Sequence, residues 1–331
     1  MREPGRPTVL VLRALGLGDF LTGVPALRAV ARALPRHEVV LAAPAALQPL
    51  VRLSGAAHRL LPTVGLERPD WDGPSPDIAV NLHGRGPRSH RVLQARSPGR
   101  LVAFACDEAG VAGPRWRAGE HEVRRWCRLV TEAGWPADPL DLGIAVPEAA
   151  GQVPGAVMVH PGAAQPSRRW PAERFAAVAR WAAGQGWPVV VTGGPGEQAL
   201  AEAVCRAAGL PPRASSAGRT DLAGLAAQVH AAALVVCGDT GVAHLATAYG
   251  TPSVLLFGPV PPEEWGPVTA GPHTVLWRGQ GRRGDPWAKQ PDAALLHITV
   301  DEVVAAAAGR LVRRSPGRGP RSRAETTPTS A

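Results

Sequence analysis

With 331 residues the chain is long enough for about two domains, and with 45% hydrophobic against 19% charged residues it can bury substantial cores. No run of about 18 uninterrupted apolar residues occurs, which excludes an obvious membrane-spanning helix. The net charge of +9 is unevenly spread: residues 310–331 hold six arginines against Glu325, and residues 85–128 hold ten against Asp107, Glu108, Glu120 and Glu122. Charge of this kind, concentrated in a tail and one stretch, is either solvated surface or an attraction to an anionic membrane face or acidic acceptor. It does not describe a nucleic-acid partner. Cys106, Cys127, Cys205 and Cys237 stand singly, without a CxxC or Cys/His spacing. They read as reduced core residues of a cytoplasmic protein, with no disulfide framework and no metal site. The N-terminal apolar run lacks a small-residue cleavage site and reads as a strand rather than a signal peptide.

In chain order, Val9–Leu12 is the first strand, and the loop Leu15-Gly-Leu-Gly-Asp19 leads to a helix in which Phe20, Leu21, Val24, Leu27, Val30, Ala31 and Leu34 recur at helical spacing. Pro25 lies inside that pattern and predicts a helix start or a bend near it. Strands follow at 38–43, 58–61, 77–82 and 100–105, with helical segments at 45–53, 89–96 and 120–133. The stretch 147–155 reads as a linker, dividing the chain into domains at 1–150 and 151–312. The Pro-, Gly-, Ser- and Arg-rich tail 313–331 is expected to be disordered.

The second half repeats the alternation. Strand 156–160 precedes a helix with Pro171 in its first turn and Gly186 past its end. Strand 188–192 leads through Gly193-Gly-Pro-Gly196 to a helix from Glu197. Asp221 can cap helix 222–230, strand 233–237 runs into Gly238-Asp-Thr-Gly241, and a helix closed by Gly250 precedes strand 253–257. Unbroken apolar strands alternating with helices predict an α/β architecture of two doubly wound, Rossmann-like domains facing across a cleft.

Three glycine-bearing loops of the second half, 160–162, 193–197 and 238–241, fall at strand carboxyl ends. Glycine lets backbone N–H groups approach a ligand, and helix N-termini add free donors and positive dipole. Together they describe a diphosphate site. Arg168, beside a glycine loop, suits a phosphate clamp, but it or Arg169 could equally be surface charge. Asp239 and Thr240 could hold a ligand or cap the following helix. His244 could be a buried, hydrogen-bonded histidine, and Glu197 could serve its own helix or accept hydrogen bonds from ribose hydroxyls. In the first half Asp19 could take a proton from an attacking hydroxyl or cap a helix beginning at Phe20.

Two rival motifs fail. Gly16 and Gly18 suggest a dinucleotide fingerprint, but Leu21 occupies the third glycine position and no acid follows the second strand. Asp239-Thr-Gly241 repeats an aspartic-protease triplet, but between a parallel-type strand and a helix, with no second copy.

Taken in order, Arg13-Ala-Leu-Gly-Leu-Gly-Asp19, Pro25-Ala-Leu27, His160-Pro-Gly-Ala163, Arg168-Arg-Trp-Pro-Ala-Glu-Arg-Phe175, Gly193-Gly-Pro-Gly-Glu197, Gly238-Asp-Thr-Gly-Val-Ala-His244, Ala248-Tyr-Gly-Thr-Pro252 and Leu256-Phe-Gly-Pro259 resemble the heptosyltransferase-like glycosyltransferases of family 9. The resemblance spans residues 8–312 and implies the GT-B fold and an inverting, metal-independent transfer from a nucleotide-diphospho-sugar, typically ADP-linked, with no cofactor. It implies Asp19 as catalytic base, Arg168 at the diphosphate, Glu197 at the nucleoside, and Asp239, Thr240, Gly241 and His244 in the motif holding sugar and phosphate. The expected partners are a nucleotide-sugar donor and a glycan or lipid-linked acceptor, with peripheral contact at the inner face of the cell membrane. Ala163 and Ala164 depart from the family, whose members often carry a hydroxyl there, and this leaves the sugar open. A nucleotide-sugar-binding protein without transferase activity and a GT-B-type epimerase or hydrolase are the alternatives.

Overall fold

The computed structural model describes residues 6–67, 69–71, 73–148 and 151–311. The linker 147–155 lies partly outside these residues, and the tail 313–331 wholly so.

Ten strands form two five-stranded, all-parallel sheets among the described residues. The first is built from β1 (Thr8–Leu12), β2 (Glu38–Ala43), β3 (Arg59–Pro62), β4 (Ile78–Asn81) and β5 (Arg100–Val102), in the order β3-β2-β1-β4-β5. The second, from β6 (Val157–His160), β7 (Val189–Val191), β8 (Leu234–Gly238), β9 (Ser253–Phe257) and β10 (His273–Trp277), has the order β10-β9-β8-β6-β7. The helices are α1 (Leu17–Ala33), α2 (Gln48–Ser54), α3 (Arg88–Gln94), α4 (Glu122–Glu132), α5 (Ala172–Gly184), α6 (Gln198–Ala208), α7 (Leu222–Ala231), α8 (Gly241–Tyr249), α9 (Pro262–Trp265), α10 (Ala293–Leu296) and α11 (Val300–Arg310).

Alternation along each strand sorts side chains between layers. Val9 and Val11 enter one apolar cluster and Leu10 and Leu12 another, while Val157 and Val159 separate from Met158 in the same way. The largest cluster is shared by the two halves: it runs from Val9 and Val11 through α1 and α4 to Met158, Val235, Cys237 and the inner faces of α7 and α8. The outer face of the second sheet packs on α5, α6 and α11 through residues such as Phe175, Val204 and Val303.

Two expectations differ in detail. The first helix begins at Leu17 rather than Phe20 and continues through Pro25 without a break. Residues 20–27 are all buried, so packing outweighs the roughly 3 kcal/mol that proline costs a helix interior. The expected helix 45–53 is a short 3-10 turn, Ala45–Leu47, followed by α2. Beyond β9 the chain adds α9, β10, α10 and α11, for which the sequence pattern gives no expectation. A capping box marks the start of α11, with Thr299 and Glu302 each satisfying the other's backbone N–H.

Candidate functional site

In each sheet the strand order reverses direction once, between β1 and β4 in the first and between β6 and β8 in the second. Ligands of open parallel sheets lie beyond the carboxyl ends of strands at such points. Asp19 follows β1, Arg168 follows β6, and Asp239 and Thr240 follow β8, so these residues stand at the two reversal points. Glu197 follows β7, the other neighbour of β6.

The first turns of α1 and α8 meet. A Cβ on Gly18 would lie 2.8 Å from His244 Cδ2 and 3.5 Å from Gly241 Cα, and one on Gly241 would lie 2.6 Å from Leu17 Cγ. The approach is close enough that both positions need glycine. It brings the N-terminal ends of two helix dipoles, one from each half, to one place.

Asp19 lies in the first turn of α1, whose N-cap is Gly16, so it does not cap that helix. Burial raises its carboxyl pKa; Arg13 opposes the rise, Glu122 adds to it, and hydrogen bonds from the backbone of Gly16 and of Asp19 itself lower it. Asp239 is 6% exposed. Burial pushes its carboxyl up to about 6, with Arg168 opposing and Asp19 contributing. The Asp19 carboxylate of the first half thus adds to the rise at Asp239 in the second.

Arg168 Nη1 is 3.8 Å from the Asp239 carboxylate, and its buried Nε has no hydrogen-bond partner among the described residues. This guanidinium is loosely held, with donors to spare. Thr240 is the N-cap of α8, its hydroxyl accepting the Val242 N–H at 3.2 Å, and Gly241 is the first residue of that helix. The capping reading thus belongs to Thr240 and not to Asp239. The carboxylate of Glu197 makes no cap bond to α6. It accepts the Gly194 N–H at 2.7 Å and fills the space beside Gly162 where a Cβ would stand. Next to it His160, hydrogen-bonded to the Thr192 hydroxyl at 2.9 Å, is pushed down to about 4 by burial, Glu197 opposing, and is therefore neutral.

His244 faces the first half. Its ring lies against Gly18 and edge-on to Trp265 at 5.9 Å between centroids. Burial, with His121, Arg13 and Arg168 adding to it, brings its pKa down to about 4. Sequence reasoning missed several neighbours. His121 is the N-cap of α4, its Nδ1 accepting the Val123 N–H while Nε2 donates to the Gly266 carbonyl at 2.9 Å, which ties α4 to the end of α9. Arg13 and Glu122, both buried, stand behind Asp19. Nothing in the spacing foretells that Arg13, which follows β1, meets the start of α4, where His121 and Glu122 are neighbours, because the two segments are more than a hundred residues apart.

The sequence signature of glycosyltransferase family 9 (heptosyltransferase) matches residues 114–281, about half of the chain. The chain belongs to this family. Its match to lipopolysaccharide heptosyltransferase 3 of Escherichia coli is 30% identical over 146 residues, which is 44% of this chain and 42% of that protein. The chain thus spans less than half the length of this curated relative. Among solved structures, a family 9 glycosyl transferase from Veillonella parvula superposes with a TM-score of 0.73 at 21% identity, covering 94% of this chain and 98% of that one. The E. coli ADP-heptose lipopolysaccharide heptosyltransferase II gives 0.74 at 19%, covering 92% and 98%. An E. coli heptosyltransferase in complex with ADP gives 0.64 at 16%, covering 92% and 99%. At these identities the structural likeness establishes the fold, which is the GT-B fold of family 9. The stretch matching the family signature carries Arg168, Glu197, Asp239, Thr240, Gly241 and His244, and leaves Asp19 outside it.

Proposed function

We propose that this family 9 chain transfers a heptose-like sugar, with inversion, from a nucleoside-diphosphate donor, ADP-linked, to a glycan acceptor of the cell envelope. The observation that carries the reading is the meeting of Asp19 from the first half with Arg168 and Asp239 from the second, at the paired starts of α1 and α8. In this reading residues 1–150 present the acceptor and residues 151–312 hold the donor. Asp19 takes the proton of the attacking hydroxyl as that oxygen bonds to the anomeric carbon and the bond to the diphosphate oxygen breaks. The charge left on the diphosphate falls to Arg168, whose Nε has no partner among the described residues, and to the N–H groups at the start of α8, so that no metal ion is called for. Asp239 and His244 face the sugar, and Glu197 accepts hydrogen bonds from the ribose. The ADP-linked donor is supported by the ADP-heptose heptosyltransferase II and by the ADP complex among the structural relatives. The lipopolysaccharide-type acceptor is supported by the curated relative. No helix among the described residues is long and apolar enough to cross a membrane, and a cytoplasmic enzyme meeting its acceptor at the inner membrane face is consistent with this.

Asp19→Asn tests the assignment. Turnover of an ADP-sugar should fall about 10²–10⁴-fold, the usual contribution of general acid–base catalysis, while ADP affinity by calorimetry stays near that of the wild type. Turnover at the wild-type rate would reduce Asp19 to a first-turn helix residue.

A further inference from the structure

We propose that Arg13 is a positioning residue for the reaction: anchored by Glu122 beneath the β1–α1 loop, it fixes the backbone of Asp19 and sets the charge beside its carboxylate. The inference rests on the reading of Asp19 as the base. Arg13 is 0% exposed, the only arginine among the largest fully buried side chains of the described residues. Such burial of a charge is costly unless its donors are answered, and here four of the five guanidinium N–H groups are. Nε donates to the Asp19 carbonyl, Nη1 to the Leu82 carbonyl, and Nη2 to the Thr22 hydroxyl at 2.9 Å and to Glu122 Oε1 at 3.3 Å. The Thr22 hydroxyl in turn donates to the same Asp19 carbonyl at 2.9 Å. One guanidinium therefore ties the exit of β1, the first turns of α1, the exit of β4 and the start of α4 to the peptide unit that carries the proposed base.

The surroundings are shaped to this side chain. Gly23 sits inside α1, where glycine costs about 1 kcal/mol relative to alanine, and a Cβ there would lie 2.9 Å from Arg13 Cδ and Nε. The bare position lets the arginine pass. Trp126 covers the guanidinium, with Arg13 Cζ 4.8 Å from the ring centroid, and its indole N–H donates to Glu122 Oε1 at 2.7 Å. Arg125 pairs with the other oxygen of Glu122, so Glu122 keeps partners if Arg13 is changed. The charged and titratable groups about Asp19 and Arg13, which follows β1, are Glu122 and His121 at the start of α4, His83 after β4, and Asp239, His244 and Arg168 from the second half. Among all of these, Arg13 lowers and Glu122 raises the Asp19 carboxyl. Arg13 favours the ionised form that a base requires against the burial that disfavours it.

The two partners predict opposite effects, which a merely structural role would not produce. The test titrates the Asp19 carboxyl carbon by ¹³C NMR in aspartate-labelled full-length protein, its resonance identified by its loss in Asp19→Asn. In Arg13→Met the midpoint should move up, with a roughly tenfold change in protonation constant. Arg13→Lys should recover part of this change, and Glu122→Gln should move the midpoint down. ADP affinity should remain within about twofold of wild type in all three. Unchanged midpoints in Arg13→Met or Arg13→Lys, and in Glu122→Gln, in protein with native near-ultraviolet dichroism would overturn the inference, as would shifts of the same sign in Arg13→Met and Glu122→Gln. If Arg13→Met does not fold, Arg13→Lys and Glu122→Gln decide. If the midpoints move as expected while Asp19→Asn turns over normally, the charge-setting role of Arg13 stands and the base assignment fails.

Discussion

Asp239 carries a carboxyl held near pH 6 by its burial, against an unperturbed value near 3.9. Its folded-state pKa is raised, so the folded form binds the proton more tightly than the unfolded chain does. The contribution is therefore complete below the unfolded pKa and is lost as pH rises from about 4 through about 6. At about 1.4 kcal/mol per unit, the loss is on the order of 2–3 kcal/mol. Asp239→Asn should raise the Tm of the unliganded protein at pH 7 and flatten its dependence on pH between about 4 and 6, while weakening sugar-donor binding. A Tm–pH slope that the substitution leaves intact would contradict this. For Arg168, removal to alanine should weaken ADP binding by about 1.5–3 kcal/mol, the range for a hydrogen bond to a charged group, and hardly alter binding of adenosine. Equal losses for both ligands in calorimetry would shift the phosphate contact to Arg169, which at present donates to the Ala163 carbonyl at 2.9 Å.

Among the elements, α1 and α8 set the geometry of the site through their first turns. Gly18→Ala places a methyl group 2.8 Å from His244 Cδ2, and overpacking of this kind typically costs 1–3 kcal/mol. The clash is with one ring, so Gly18→Ala combined with His244→Ala should cost less than the sum of the two single changes. A double-mutant cycle on unfolding free energies measures that coupling, and strict additivity would mean that the backbones, rather than the ring, set the spacing. The elements divide in how far they could be read. Helix α8 is bracketed in the sequence by Gly238-Asp-Thr-Gly241 and Gly250, and of the two candidate caps Thr240 is the N-cap, with Gly250 the C-cap; α7 starts on Asp221, as its side-chain bond to the Gly224 N–H at 2.8 Å confirms. The start of α1 is hidden because Gly16 and Gly18 make residues 15–19 read as a loop, although Leu17 is in phase with Phe20, Leu21 and Val24. The helical conformation of Leu17, Gly18 and Asp19 is held by Arg13 and by the facing helix.

For the molecule as a whole, the shared apolar layer couples the halves more closely than two domains around an open cleft would be. Val24 and Val30 of α1 lie in the same cluster as Val242, Leu245 and Ala246 of α8. Tyr249 reaches the Ala145 carbonyl at 3.0 Å, and Arg28 holds the segment before the linker through Asp141 at 2.6 Å. Scanning calorimetry of the full chain should accordingly give a single cooperative transition. A fragment of residues 1–148 should expose the α1 face and bind a hydrophobic dye. Two resolved transitions, or a well-behaved fragment, would show that each half is stable alone.

The sequence by itself determined nine of the ten parallel strands of the described residues, most of the helices and the loops bearing Asp19, Arg168, Glu197 and Asp239, because these depend on short-range facts. Apolar runs make buried strands, glycine and proline mark boundaries, and strand-to-helix loops fall at carboxyl ends whatever the rest of the fold. Only the tertiary structure decided what those side chains meet. That His244 turns toward Gly18, that Glu197 fills the space beside Gly162, and that Arg13 is buried beneath Asp19 against Glu122 are contacts between residues up to 226 positions apart. No local periodicity encodes them, because they follow from the packing of separate elements, α8 of one half against α1 of the other in the first case and elements of a single half against each other in the other two.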